Sequence, residues 1–316
     1  MPRIARYLLP LLTLPLLGGC SLSVLFPTGY VAAQQRDVLV IATLLMLVII
    51  IPVLCLIVYY AWKFRASNED AEYRPDWHHS TALELIIWSA PLLIIICLGA
   101  LTWVSTHLLD PYRPLDRISA EEAIPEGVEP LEIEVVAMDW KWLFFYPEQG
   151  VATVNDLPLP VNRPVRFKLT AQSVMNAFYI PHMAGRIYAM PGMETQLHGV
   201  MNEVGEFRGM SSHYSGAGFP GMRFWTRVMS DEDFDAWAAE TRESGETLDT
   251  VRYQELEEPS EFVAPMQFGS VEDGLYQRIM EMCVPEGSTC MSELHNMTGE
   301  GHEGHAAPSS HSAHEM

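Results

Sequence analysis

Residues 38–62 and 85–109 form two 25-residue stretches that carry no charged side chain, apart from a titratable His107 in the second. A helix needs about 20 apolar residues to cross a bilayer core. This length and uniformity therefore predict two transmembrane helices rather than buried helices of a soluble core. Pro52 and Pro91 lie inside the runs, where membrane helices tolerate proline better than soluble ones do. Tyr59, Tyr60 and Trp62 close the first span, and Trp103 and Tyr112 lie near the end of the second. Such aromatic residues suit the membrane–water interface.

The N-terminus sets the direction. Arg3 and Arg6 precede an apolar run over residues 7–17, and small residues follow, the layout of a secretory signal peptide. The run ends Leu17-Gly18-Gly19-Cys20, which looks like a bacterial lipobox. On that reading Cys20 is acylated and becomes the mature N-terminus outside the cytoplasmic membrane. The connection over residues 63–82 carries Lys63, Arg65 and Arg74, against Arg36 alone in residues 20–37. That imbalance places the connection in the cytoplasm. Both ends of the mature chain are then periplasmic, as is everything after about residue 110.

The chain has 40 Asp+Glu against 19 Lys+Arg, a balance that argues against nucleic acid as a partner. From Pro130 the pattern changes to short strand-like stretches. Residues 131–137 alternate apolar and acidic, 140–146 are aromatic, 165–170 alternate again, and 224–229 close the series. Turn signals fall at 147–150, 155–156, 162–164 and 191–192. Many short strands at this spacing predict an antiparallel sandwich or barrel. Ser230-Asp-Glu-Asp233 resembles a capping box opening a helix from Asp231 to about Ser244.

Residues 209–224 read Gly-Met-Ser-Ser-His-Tyr-Ser-Gly-Ala-Gly-Phe-Pro-Gly-Met-Arg-Phe. In subunit II of haem-copper oxidases the similar loop reads Cys-x3-Cys-x3-His-x2-Met and holds two copper ions. The same spacing here gives Ser211, Ser215, Phe219 and Met222, and His213 stands where the family has a glutamate that ligates through its carbonyl. The stretch Ser-Val-Met-Asn-Ala-Phe-Tyr-Ile-Pro at 173–181 matches the segment that supplies the first copper histidine, with Asn176 in its place. Copper prefers thiolate and imidazole, and a phenyl ring cannot coordinate it. The chain thus resembles subunit II of the bacterial cytochrome bo type of ubiquinol oxidase, the branch without this copper centre. The resemblance runs from about residue 30 to 240. Met138-Asp-Trp-Lys-Trp142 matches the family's aromatic segment, and the aromatic region 250–285, with Tyr253, Phe262, Phe268 and Tyr276, resembles the quinol-oxidase extension.

The resemblance implies a two-helix transmembrane hairpin, a periplasmic cupredoxin-like β-sandwich or barrel, and a helical C-terminal extension. The expected organisation is signal peptide 1–19, lipidated N-terminus 20–37, hairpin 38–110, cupredoxin-like domain 130–230, extension 231–287 and a His-rich tail 288–316. It implies that the haems and copper belong to a partner, subunit I, together with small membrane subunits, and that this chain binds no cofactor and holds no catalytic residue. Glu84, at the mouth of the second span, matches a glutamate at a proton-uptake entrance. From spacing alone an acid there is equally a helix cap that complements the dipole.

Other residues bear on rival readings. Met175, His182, Met183, Met190, Met193, His198, Met201, Met210, His213 and Met222 crowd one region. They read either as a thioether and imidazole copper(I) site or as methionine filling an irregular interior. No pair has diagnostic spacing, so packing is the reading adopted. A blue-copper site needs a Cys, and none lies between 98 and 282. Among the five cysteines there is no CxxC pair. Cys283 and Cys290 are close enough for a disulfide in an oxidising periplasm, while Cys55 and Cys97 read as small apolar residues in the spans. The tail, with His295, His302, His305, His311 and His314, has too few apolar residues to fold. The rivals to a quinol oxidase subunit are an electron-accepting subunit II of a cytochrome c oxidase and a free-standing copper-handling lipoprotein.

Overall fold

The computed structural model describes residues 23–293 except 73, 74, 126 and 286. The signal segment, Cys20, Arg74 and the tail histidines lie outside the described residues. The chain divides into two compact units, one formed by residues up to 124 with 181–185 and 199–202, the other by the remainder.

The first unit holds α1 (Tyr30–Lys63) and α2 (Thr81–Leu108), which pack on each other. Both are apolar around their whole circumference. None of the most apolar 18-residue stretch of either is buried within the chain, so neither is the core helix of a soluble fold. Leu54, Val58, Leu85 and Trp88 all stand exposed, as side chains facing lipid or partner helices do. α1 begins at Tyr30, eight residues before the uncharged run, and continues through Pro52. At its start the Thr28 and Gly29 amides donate to the His182 carbonyl at 3.2 and 2.7 Å. A side chain on Gly29 would meet the Val200 carbonyl at 2.5 Å, so only glycine fits there.

The second unit is a two-sheet sandwich. Its strands are β1 (Leu131–Met138), β2 (Lys141–Tyr146), β3 (Val151–Val154), β4 (Asp156–Pro160), β5 (Val165–Ala171), β6 (Asn176–Tyr179), β7 (Ile187–Ala189), β8 (Thr195–Gly199), β9 (Gly205–Ser211) and β10 (Arg223–Met229). They are followed by α3 (Asp231–Ser244), β11 (Glu246–Leu248), α4 (Thr250–Glu257), β12 (Met266–Val271) and α5 (Leu275–Met280). One sheet runs β11-β12-β3-β2-β1-β5-β8, the other β4-β10-β9-β6-β7. The sandwich is not purely antiparallel, in contrast to the expectation from strand spacing: β1–β5, β4–β10 and β11–β12 pair in parallel. Each of these pairs is joined by intervening elements rather than a tight turn, which parallel strands require. Spacing of turns reports strand ends, not which strand returns beside which.

β2 explains its own composition. Its six residues, Lys-Trp-Leu-Phe-Phe-Tyr, are all buried, with no polar alternation. Trp142 and Phe144 face the space between the sheets and meet Phe178 and Phe224 edge-on. Leu143 and Phe145 point to the opposite face, which Leu248, Tyr253, Leu256, Phe268, Leu275, Tyr276 and Ile279 of the C-terminal extension cover. A strand buried on both sides reads as a continuous apolar run. The extension therefore supplies two strands besides its helices, and β12 pairs with β3. α3 starts where the capping box indicates: the Ser230 hydroxyl accepts from the Asp233 amide at 3.1 Å. Lys141 is buried and donates to the Glu258 carbonyl at 2.9 Å, while Asn155 Nδ2 donates to the Val263 carbonyl at 2.9 Å. Together they hold down the segment between α4 and β12.

Glu134 on β1 gives this unit a pH dependence. Burial pushes its carboxyl up to about 7, with Glu132 and Glu194 adding repulsion and Lys168 opposing the rise. A carboxyl raised in the folded state keeps its proton after the unfolded chain has lost it, so stability falls as pH rises between the unfolded carboxylate range and about 7. Because the group is partly exposed, solvent screening limits the effect to about 1–2 kcal/mol. Glu134→Gln should flatten this slope in unfolding midpoints measured from pH 4.5 to 7.5. An unchanged slope would exclude Glu134 as its source.

Candidate functional site

The residues singled out by the loop resemblance come from three elements of the second unit. Asn176 opens β6, Ser211 ends β9, and Ser215, Phe219 and Met222 lie on the turn leading into β10. The strands bring them together: Phe178 sits opposite Ser211 in the β6–β9 ladder, the Ser212 amide donates to the Ala177 carbonyl at 2.9 Å, and the Ser211 amide donates to the Met222 carbonyl at 3.1 Å. The Ser211 hydroxyl donates to Asn176 Oδ1 at 3.0 Å, with the His213 carbonyl 3.2 Å away as a second acceptor. Asn176 Nδ2 in turn donates to the Val174 carbonyl at 3.1 Å. The Ser215 hydroxyl donates to the Met222 sulfur at 3.9 Å. Asn176, Ser211 and Met222 are buried.

Tertiary packing fixes the loop. Trp140, held at a φ of +64° between β1 and β2, donates from Nε1 to the Ser215 carbonyl at 2.9 Å. A Cβ on Gly218 would lie 2.4 Å from the Trp140 ring, so this approach requires glycine. Phe219 occupies a 3-10 turn (Phe219–Gly221) and meets Tyr214 edge-on at 5.5 Å, while His213 meets Tyr188 at 6.0 Å.

These donors do not fit a binuclear copper centre. A hydroxyl and an amide that satisfy one another, a second hydroxyl spent on a thioether, and a phenyl ring offer no bridging thiolate and no imidazole at the matching positions. The Ser211 hydroxyl and the Asn176 amide are instead satisfied within the protein, as burial demands. Hydrogen bonds join the residues at these positions to one another.

In the first unit Glu84 lies in the first turn of α2, its side chain about half exposed. Its carboxylate stands 2.6 Å from His79 Nδ1, and His79 Nε2 lies 3.3 Å from the Thr81 hydroxyl. The sequence reading did not single out His79; its place just before the cap residue Ser80 is the signal that was available. Cys283 and Cys290 are joined by a disulfide, and Cys55 and Cys97 are free and exposed on α1 and α2.

Residues 148–228 match the family model "Cytochrome C oxidase subunit II, periplasmic domain", and residues 242–287 match "COX Aromatic Rich Motif". The chain is 52% identical over 254 residues to cytochrome bo(3) ubiquinol oxidase subunit 2 of Pseudomonas putida, covering 80% of this chain and 78% of that one. It is 44% identical over 301 residues to the protein of the same name in Pseudomonas aeruginosa, covering 95% and 88%. Among solved structures, the periplasmic domain of subunit II of cytochrome oxidase from Bradyrhizobium japonicum is 25% identical, with a TM-score of 0.34 over 35% of this chain and 91% of that domain. By the family model over residues 148–228, the sandwich corresponds to the periplasmic domain of subunit II. At this identity, over most of its length, the chain belongs to the subunit 2 family of cytochrome bo-type ubiquinol oxidases, within the haem-copper oxidase superfamily.

Proposed function

We propose that this chain is the non-catalytic, membrane-anchored subunit of a proton-pumping complex that oxidises ubiquinol and reduces dioxygen to water. The observation that carries the reading is the hydrogen-bonded loop, with Asn176, Ser211, Ser215 and Phe219 at the copper-ligand positions. A subunit II without thiolates has no relay for electrons from a water-soluble cytochrome c. Ubiquinol arrives through the lipid and needs none. The haems and the oxygen-reducing copper belong to partner subunit I, since His107 is the only histidine in either apolar run. Small membrane subunits complete the assembly.

The chain sits in the bacterial inner membrane, crossing twice, with the cupredoxin-like domain in the periplasm. A signal peptide over residues 1–19 and acylation at Cys20, with palmitate as one of the attached chains, anchor its N-terminus, a reading supported by the run Leu17-Gly18-Gly19-Cys20. α1 and α2 pack against subunit I. The sandwich caps the periplasmic side, and the tail is assigned no role. Affinity purification through this chain should recover a haem-containing partner and oxygen uptake driven by ubiquinol. Recovery of the chain without haem would favour a free-standing copper-handling lipoprotein instead.

Glu84 is the residue of this chain assigned a part in proton uptake. A half-exposed carboxylate paired with His79 at a helix mouth can collect protons from water and pass them to a buried relay. Glu84→Gln should slow proton-coupled turnover severalfold while leaving assembly intact. Turnover and pumping equal to wild type would reduce Glu84 to a helix cap.

A further inference from the structure

The loop closed by Cys283 and Cys290 has a methionine as the next residue outside the closed stretch on one side and just before it on the other: Met291 follows Cys290 and Met282 precedes Cys283. The loop is pinned at its base, where the Met291 amide donates to the Glu281 carbonyl at 3.0 Å and the Ser292 hydroxyl to the Glu281 carboxylate at 2.8 Å. Met282 holds a φ of +57°, a region that an L-residue with a bulky side chain enters only at a cost in free energy. Facing the loop is the turn at residues 190–193, where Gly192 also has a positive φ, +69°. A Cβ built on Gly192 would lie 3.0 Å from the Met291 sulfur and 3.7 Å from the Met282 sulfur. Two thioether sulfurs therefore converge on one spot that the missing side chain leaves open.

Exposure separates this pair from the packing methionines. Met138, Met183, Met201 and Met222 are at most 1% exposed and fill the interior, as methionine does well. Met282 is 49% and Met291 44% exposed, and Met193, on the same turn as Gly192, is 53% exposed. Interior packing does not account for two exposed thioethers gathered by a disulfide-closed loop and a left-handed backbone.

We propose that Met282 and Met291, set over Gly192, form a surface site for Cu(I). Thioether sulfur is a soft ligand that favours Cu(I) over hard cations. Cys283 and Cys290 are bonded to each other and are not ligands, which leaves the two thioethers as the soft donors. Met193 or a small exogenous ligand completes the coordination. A site with two thioethers and an open side exchanges its metal rather than retaining it. It is separate from the cluster of Asn176, Ser211, Ser215, Phe219 and Met222 and does not depend on which electron donor the complex uses. It departs from the sequence expectation of a chain that binds no metal.

The test is a titration of the purified complex with Cu(I), under argon with ascorbate, against a chromogenic Cu(I) chelator. The wild type should withdraw one Cu(I) per chain that the M282L/M291L variant leaves with the chelator. Met175→Leu, an exposed methionine on a different loop, should bind as wild type. Identical curves for wild type and M282L/M291L would overturn the proposal. A second measurement needs no variant: Ag(I), a redox-inert stand-in for Cu(I), should protect Met282 and Met291 of the wild-type chain from peroxide sulfoxidation, read by peptide mass spectrometry. Equal oxidation of both residues with and without Ag(I) would also overturn it.

Discussion

Phe178→Ala should destabilise the cupredoxin-like unit by about 3–5 kcal/mol, the range for truncating a fully buried aromatic. Phe178 is completely buried and lies where both sheets meet. Its ring stacks on Phe224 at 5.3 Å and meets Trp142 at 5.3 Å, Phe167 at 5.4 Å and Phe144 at 6.3 Å. Three strands besides its own thus lose packing partners or gain a void, and aromatic pair energy goes with the buried area. Phe178→Leu should cost much less, about 1–2 kcal/mol, because most of the volume is kept. Phe178 also sits opposite Ser211 and two residues from Asn176, so the void should loosen the loop as well as the core. Thermal unfolding of the chain within its complex would show the alanine variant lower by roughly 10 °C. Equal midpoints for the two variants would mean that this cluster does not hold the sheets together.

The second large effect is a gain. Asn176→His, Ser211→Cys, Ser215→Cys and Phe219→His together should let the domain hold two copper ions. The backbone already brings the positions together, through the 3.0 Å contact of Ser211 with Asn176 and the 3.9 Å contact of Ser215 with Met222. Serine-to-cysteine and asparagine-to-histidine changes alter shape modestly, while they replace weak neutral oxygen donors by the thiolate and imidazole that copper prefers. Met222 is already in place. Ser211→Cys or Ser215→Cys alone should not suffice, because the bridged pair needs both sulfurs. Metal analysis after chelator washing reads the outcome. A folded quadruple variant without tightly bound copper would mean that this loop does not correspond to the copper loop of the family.

The features legible in the sequence are those set by local chemistry. The uncharged runs specify α1 and α2, because length and apolarity decide what crosses a bilayer. The alternation over residues 131–137 and the Ser230 cap place β1 and α3 to within a residue or two. The features that were not legible depend on long-range pairing. Nothing local in residues 266–271 says that they join β3, and the burial of both faces of β2 is evident only once Tyr253, Phe268 and Tyr276 are seen to cover it. The same holds at the sites. The substituted ligand positions follow from the loop's resemblance to the family's copper loop, whereas their mutual hydrogen bonds do not. Met282 and Met291 do not stand out in the sequence, because what gathers them is Gly192, some ninety residues earlier in the chain.

The most direct test is donor specificity. Oxygen uptake by the purified complex should be measured with ubiquinol and, on the same preparation, with reduced cytochrome c. The account predicts sustained uptake with ubiquinol and none with cytochrome c, since the Ser211–Ser215 loop has no copper to accept its electrons. Uptake with cytochrome c at a rate comparable to ubiquinol would contradict it and would mean that electrons pass through this domain after all.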